Sequence, residues 1–234
     1  MRSDYAGAEI MISLPDAFFV TGTGTDVGKT VVSGILLSGL EAKYWKPIQS
    51  GEPSDTNSLK RVTELADENF ITERHVFEQA VSPHLAASLS NKRIDLKDFE
   101  MPAHPNSHLI VEGAGGLLTP LNDQHLMIDL IDQLQLAVIV VALSGLGTIN
   151  HTLLTISALN SRSIPILGVV MNGEPDESNK LAIEHYGKVP VIAQCGRLSE
   201  LTPHTLSAAF REYFSPRTCR HLFRRRTLVL KSND

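Results

Sequence analysis

Short apolar runs rich in β-branched residues punctuate the chain at Ala17–Gly22, His108–Gly113, Ala137–Leu143, Pro165–Met171 and Val189–Ala193, with a weaker one at Lys43–Lys46. Runs that are apolar throughout, rather than alternating, predict strands buried on both faces. Between them, apolar residues recur at three- and four-residue spacing. The segments are Gly28–Leu40, Thr56–Asp67, Leu126–Leu136, Thr148–Asn160, Asp176–Tyr186 and Pro203–Phe214, and each predicts a helix. Strands alternating with helices imply right-handed crossovers and a single α/β domain, with a mainly parallel central sheet flanked by helices on both faces. Ligands in such sheets bind at the carboxyl ends of the strands. No repeat, linker or low-complexity stretch divides the chain.

Composition supports this picture. Of 234 residues, 42% are hydrophobic and 20% charged, enough apolar material for a doubly covered sheet in one domain. The net charge of −5 gives the whole molecule no general attraction for nucleic acid or anionic lipid. The charge is uneven, however. From Ser215 onward six Arg and Lys residues (Arg217 to Lys231) face Asp234 alone, which leaves −10 on the rest. Such a segment is either a nucleic-acid or membrane patch or a solvated, poorly ordered terminus, and the second is the expectation adopted. The expected division is thus an extension over 1–16, the folded domain over 17–214 and a basic tail over 215–234. The two cysteines, Cys195 and Cys219, do not make a disulfide framework. Met1 to Leu14 lacks the apolar core of a signal peptide and no run reaches membrane-spanning length, so a cytoplasmic protein is expected.

The chemistry begins at Phe18-Phe19-Val20-Thr21-Gly22-Thr23-Gly24-Thr25-Asp26-Val27-Gly28-Lys29-Thr30, a strand, a glycine-rich loop and a helix start. Backbone N–H groups of such a loop converge on phosphate oxygens. The lysine reaches the β/γ position, and the next hydroxyl ligates Mg²⁺. The usual pattern leaves four residues between its outer glycines; here five separate Gly22 from Gly28, and Thr23 stands where the first glycine is expected. The fold expected is therefore P-loop NTPase-like.

Other residues acquire meaning from that loop. Lys46 ends a strand before Pro47 and would point a cation to the ligand edge of the sheet. Glu112 ends the run His108–Gly113, just before Gly113-Ala114-Gly115-Gly116. A carboxylate at the tip of a buried strand is costly unless it meets a cation, and oxygen donors suit Mg²⁺. Asp55, after Ser54, reads equally as a helix cap or as another such donor. Asn172, in Met171-Asn172-Gly173, reads as a turn residue or as a reader of an adenine edge. Thr148 opens a helix and either caps it or leaves free N–H groups for an anion. The nine histidines show no metal-ligand spacing.

In order, these pieces resemble the dethiobiotin synthetase family of biotin biosynthesis. The resemblance rests on Gly22 to Thr30, Lys46-Pro47-Ile48-Gln49-Ser50-Gly51, Ser54-Asp55, Ser82-Pro83-His84, Val111 to Gly116 with Thr119-Pro120-Leu121, Gly147 to His151, and Val170-Met171-Asn172. It implies ATP- and Mg²⁺-dependent ring closure of 7,8-diaminononanoate with CO₂, giving dethiobiotin, ADP and phosphate. Lys29 and Lys46 would be catalytic. Asp26, Val27, Gly28, Lys29, Thr30, Val31, Asp55, Glu112, Gly113, Ala114, Gly115 and Asn172 would hold the nucleotide and its metal, with Thr30, Asp55 and Glu112 as ligands. Ser50 would contact substrate. The resemblance also implies a homodimer in which Thr148, Ile149 and Asn150 reach the partner's site, with no nucleic-acid or membrane partner. The stretch from Lys29 to Lys46 is shorter than in some members, and Cys195-Gly196-Arg197 departs from the family's nucleotide wall.

Two other readings use the same loop. A cobyrinic acid diamide synthase-like amidating enzyme would need a glutaminase partner. A partition-type ATPase switch would carry a second lysine five residues before Lys29, where this chain has Gly24.

Overall fold

The computed structural model describes residues 14–214. Met1 to Ser13, the basic tail from Ser215 and Cys219 lie outside the described residues. The chain begins with strand β1 (Ala17–Gly22), helix α1 (Lys29–Leu40), β2 (Lys43–Trp45), β3 (Ile48–Ser50) and α2 (Asp55–Thr63). It continues through β4 (Phe70–Ile71), β5 (His75–Phe77), α3 (Pro83–Leu89), β6 (Leu109–Glu112), α4 (Met127–Leu134) and β7 (Ala137–Leu143). It closes with α5 (Thr148–Ser161), β8 (Ile166–Asn172), α6 (Glu177–Gly187), β9 (Val191–Cys195) and α7 (Pro203–Tyr213). Seven strands form one sheet in the order β4-β2-β6-β1-β7-β8-β9, and every pairing is parallel. The doubly covered parallel fold read from the periodicity is the fold observed.

Side-chain alternation along the strands splits the core in two. Phe18, Val20, Tyr44, Ile110, Ile139 and Val170 pack with α1, α2 and α7 through Val32, Ile35, Leu59, Leu206 and Phe210. Phe19, Trp45, Val111, Val138, Val140 and Met171 pack on the other side with α4 and α5 through Met127, Leu130, Ile156 and Leu159. Burial of each such Phe, Leu or Ile side chain contributes roughly 1.5–3 kcal/mol before entropy is counted. The same alternation aims the site. Tyr44 and Ile110 are register partners on the α1 face. Two residues further along each chain, Lys46 and Glu112 follow on that side.

The segment between Lys29 and Lys46 has a simple structural form. Glu41 adopts a left-handed conformation (φ 48°) and its N–H bonds the Leu37 carbonyl, so α1 stops and β2 starts two residues later. The second helix is shorter than its pattern suggests. Glu64 turns left-handed (φ 54°) after Thr63, and the polar continuation becomes an isolated 3₁₀ turn at Asp67–Asn69. Strands β3 and β5 pair with each other outside the main sheet.

Candidate functional site

The loop between β1 and α1 carries its extra residue by using two left-handed positions, Asp26 (φ 57°) and Gly28 (φ 92°), on either side of Val27. Aspartate tolerates that conformation better than most side chains. Gly28 is required for a second reason, because a Cβ there would overlap the Asn172 carboxamide. Gly28 also occupies the cap position of α1 with no side-chain cap, so the first N–H groups of the helix have no side-chain partner. Helices α2, α6 and α7, by contrast, are capped by Ser54, Asp176 and Thr202. Lys29 folds back over the loop, its Nζ donating to the Gly24 carbonyl at 3.0 Å. Burial and then the neighbouring Lys46 ammonium lower its pKa from the ordinary lysine value.

Beside this loop lies a buried charge cluster. Lys46 Nζ is 2.5 Å from Asp55 Oδ2 and 2.9 Å from Glu112 Oε1, and it donates to the Gly113 carbonyl at 3.2 Å. Thr30 Oγ1 lies 2.9 Å from Asp55 Oδ1 and 3.1 Å from Glu112 Oε1, sharing one hydroxyl hydrogen between them. Glu112 is fully buried and Lys46 is 3% exposed. Burial opposes the charge on Lys46, but Glu112 and Asp55 outweigh it and hold its pKa above the usual value. Burial likewise opposes ionisation of Asp55, and Lys46 with Thr30 outweighs it, so that carboxyl stays below its usual range. The cluster therefore answers the sequence alternatives for Asp55: Ser54 is the cap, accepting from Asn57 N at 3.3 Å, and the Asp55 carboxylate is left for the cluster.

The donor set fits Mg²⁺. Thr30, Asp55 and Glu112 offer oxygens only, and the buried Tyr44 hydroxyl lies beside the Glu112 carboxylate. Among the described residues no group of three or more His, Cys, Asp or Glu forms a protein-only metal cage. Oxygen donors such as Thr30, Asp55 and Glu112 suit Mg²⁺, which keeps waters and takes substrate phosphates as further ligands.

The cluster opens into a cleft of about 1140 Å³. Its lining includes Asp26, Gly28, Lys29, Thr30 and Val31 from the loop and helix start, together with Lys46, Ser50, Asp55, Glu112, Ala114 and Gly115. Ser50 Oγ is buried there without a partner. Val27, Gly113 and Asn172 are not among the residues that line the cleft. Asn172 Nδ2 donates to the Val27 carbonyl at 3.0 Å, while its Oδ1 makes no hydrogen bond within the described residues. Thr148, Ile149 and Asn150 are also outside the lining. Gly147, not Thr148, takes the cap position of α5 in a left-handed conformation (φ 92°) with no side-chain cap. Sequence reading missed two walls. One is Gln49 with Val81 and Pro83; the other is the α5 face of His151, Leu154 and Thr155. The spacing of three and four along α5 marks one face, but only the fold says that it borders this cleft.

An uncapped helix start after a parallel strand, a lysine folded over the loop and an oxygen cluster at the neighbouring strand end define a P-loop nucleotide-binding protein. A family model described as an AAA domain matches residues 16–205. The ATP-dependent dethiobiotin synthetase BioD of Paramagnetospirillum magneticum is 47% identical over 191 residues, covering 81% of this chain and 92% of that protein. The protein of the same name from Agrobacterium fabrum is 42% identical over 200 residues, covering 85% and 94%. The biotin biosynthesis bifunctional protein BioCD of Bordetella avium is 46% identical over 187 residues, covering 79% of this chain but 40% of that longer protein. The chain belongs to the dethiobiotin synthetase family. Among the described residues no helix is long and apolar enough to cross a membrane.

Proposed function

We propose that the protein closes the cyclic urea of dethiobiotin from 7,8-diaminononanoate and CO₂ at the expense of ATP, with Lys46 and Lys29 handling the charge. Its relatives over most of the chain are ATP-dependent dethiobiotin synthetases. The observation that carries the residue roles is Lys46, held 2.5 and 2.9 Å from two carboxylates on the floor of a cleft that reaches the phosphate loop. One substrate amine attacks CO₂ and loses a proton, giving a carbamate. A carbamate oxygen attacks the γ-phosphorus and ADP leaves. The second amine attacks the carbonyl carbon of this mixed anhydride, phosphate leaves, and the ring closes with loss of a second proton. Every partner in the transfer is anionic. Lys29 and Lys46 would hold them together and stabilise the charge that develops. Thr30, Asp55 and Glu112 would hold Mg²⁺, whose bound charge would neutralise the phosphate oxygens. Ser50 would donate to the substrate from the cleft wall.

The test is co-substrate dependence. Phosphate release should require both 7,8-diaminononanoate and bicarbonate, with one dethiobiotin formed per ATP consumed. Turnover driven by glutamine, or by DNA without the diamine, would instead revive the amidating or partition-switch reading. Gly24 speaks against the latter already, since it has no side chain where a partition-type switch carries its second lysine.

The substrate's carboxylate is C1 and its amines are on C7 and C8, so the anion sits at the far end of the carbon chain from the reacting groups. The uncapped start of α5 supplies N–H groups of the kind that bind such an anion. The family resemblance implies a two-fold homodimer in which Thr148, Ile149 and Asn150 serve the partner's site, and that is the arrangement proposed here. Co-expressing Lys29→Ala with a variant altered at Gly147–Asn150 should restore part of the activity, because one of the two sites then carries neither defect. Mixed dimers that form but stay inactive at every ratio would rule out shared sites.

A further inference from the structure

Gln49 is 5% exposed, sits in β3 and contributes to the cleft wall, yet no step above uses it. Its carboxamide is fully engaged. Nε2 donates to the Gly51 carbonyl at 3.0 Å, and Oε1 accepts the Asp55 N–H at 3.2 Å. The orientation of the amide follows from these partners, since the reverse would set donor against donor and acceptor against acceptor. Asp55 is the first residue of α2, and the loop before it is pinned in the same way. Glu52 Oε2 accepts the Ser54 N–H at 2.8 Å, and Ser54 Oγ accepts the Asn57 N–H. Each N–H at the start of α2 named here thus meets a side-chain oxygen. What the helix start offers the cleft is the Asp55 carboxylate.

We infer that Gln49 is a positioning residue for Asp55: by tying the Asp55 amide to the Gly51 turn it sets the carboxylate between Lys46 and Thr30. No other side chain in the described residues bonds the Asp55 backbone. A donor and an acceptor at the end of a two-methylene arm are both needed. Methionine has the length and neither group; glutamate would bring a second anion against the Gly51 carbonyl. The inference rests on the reading of Asp55 as a metal ligand. The effect of Gln49 should therefore pass through Asp55 and not through the fold at large.

A double-variant cycle tests this with Gln49→Met, Asp55→Asn and both together. The readout is Mn²⁺ binding to the protein in the presence of a non-hydrolysable ATP analogue, beside the melting temperature. Gln49→Met should weaken Mn²⁺ binding by about tenfold, the lower end of what loss of an outer partner of a ligand costs. It should shift the ATP KM little. The double variant should bind Mn²⁺ no worse than Asp55→Asn alone, because the two residues act as one unit. If Gln49→Met does not fold, Gln49→Ala enters the same cycle. Effects that multiply, or Mn²⁺ binding unchanged in Gln49→Met beside a weakened Asp55→Asn, would overturn the positioning role. Mn²⁺ binding unchanged in Asp55→Asn would overturn the metal reading itself, and the inference with it.

Discussion

Lys46→Ala should bind ATP but turn over about 10²–10³ times more slowly, the usual cost of removing a charge that stabilises a transition state. The structure adds a less obvious expectation: the same variant should bind divalent metal more tightly. The Lys46 ammonium rests on the carboxylate oxygens of Asp55 and Glu112 that the metal would use. Two cations compete for one pair of anions, so removing one favours the other, on the order of tenfold for a typical coupling. Without metal, the substitution leaves a buried carboxylate lacking its partner, which typically costs 3–5 kcal/mol. The melting temperature of Lys46→Ala should therefore fall in the absence of Mg²⁺ and recover with Mg²⁺ more than the unaltered protein's does. Melting curves with and without Mg²⁺, alongside single-turnover rates, check both halves. Near-normal turnover would remove Lys46 from the chemistry, and weaker metal binding would show that the two cations do not exchange.

Gly28→Ala should abolish useful ATP binding while the sheet stays folded. An alanine held at φ 92° carries strain of about 1–2 kcal/mol, and its Cβ would collide with the Asn172 carboxamide. Relief requires the loop to turn, which moves the N–H groups at the start of α1 off the phosphates. A total near 3 kcal/mol corresponds to a roughly hundredfold weaker ATP Kd. Adding Asn172→Ala removes the collision but not the strain, so the double variant should recover part of its melting temperature and little of its affinity. Titration with ATP and thermal melting separate the two. An ATP affinity within a few-fold of the unaltered protein in Gly28→Ala would show that the loop does not depend on this conformation.

The sequence disclosed what long periodic signals can disclose. β1 and β7 occupy the expected residues, since each is a largely apolar run of six or seven residues buried in a parallel sheet. β9 runs two residues later than expected, ending at Cys195, because Gln194 interrupts the apolar run without leaving the ladder. Strands β3, β4 and β5 are two or three residues long, too short for any period to register, and α3 is a seven-residue helix started by Pro83. In the site, Thr30, Lys46 and Glu112 stood out because charged and hydroxyl groups at strand and helix tips demand partners, whereas Asp55 read equally as a helix cap. In the structure Thr30 and Lys46 each contact both carboxylates, Asp55 and Glu112. Gln49 was not legible as a contributor. A buried amide gives no signal until its partners, Gly51 O and Asp55 N, are seen to surround it. Nor was the α5 wall, whose place beside the cleft depends on the crossover from β7.

The pairing of β1 has a consequence for how the chain is made. Its ladder partners are Leu109–Glu112 on one side and Ala137–Leu143 on the other. During synthesis, therefore, Ala17–Gly22 leaves the ribosome early and waits as an unmatched apolar segment until much of the chain has followed. Non-local parallel pairing of this kind is slow to form and leaves such segments open to misassociation. The phosphate loop hangs from the end of that strand, so nucleotide cannot reward the nascent chain before the centre of the sheet has closed.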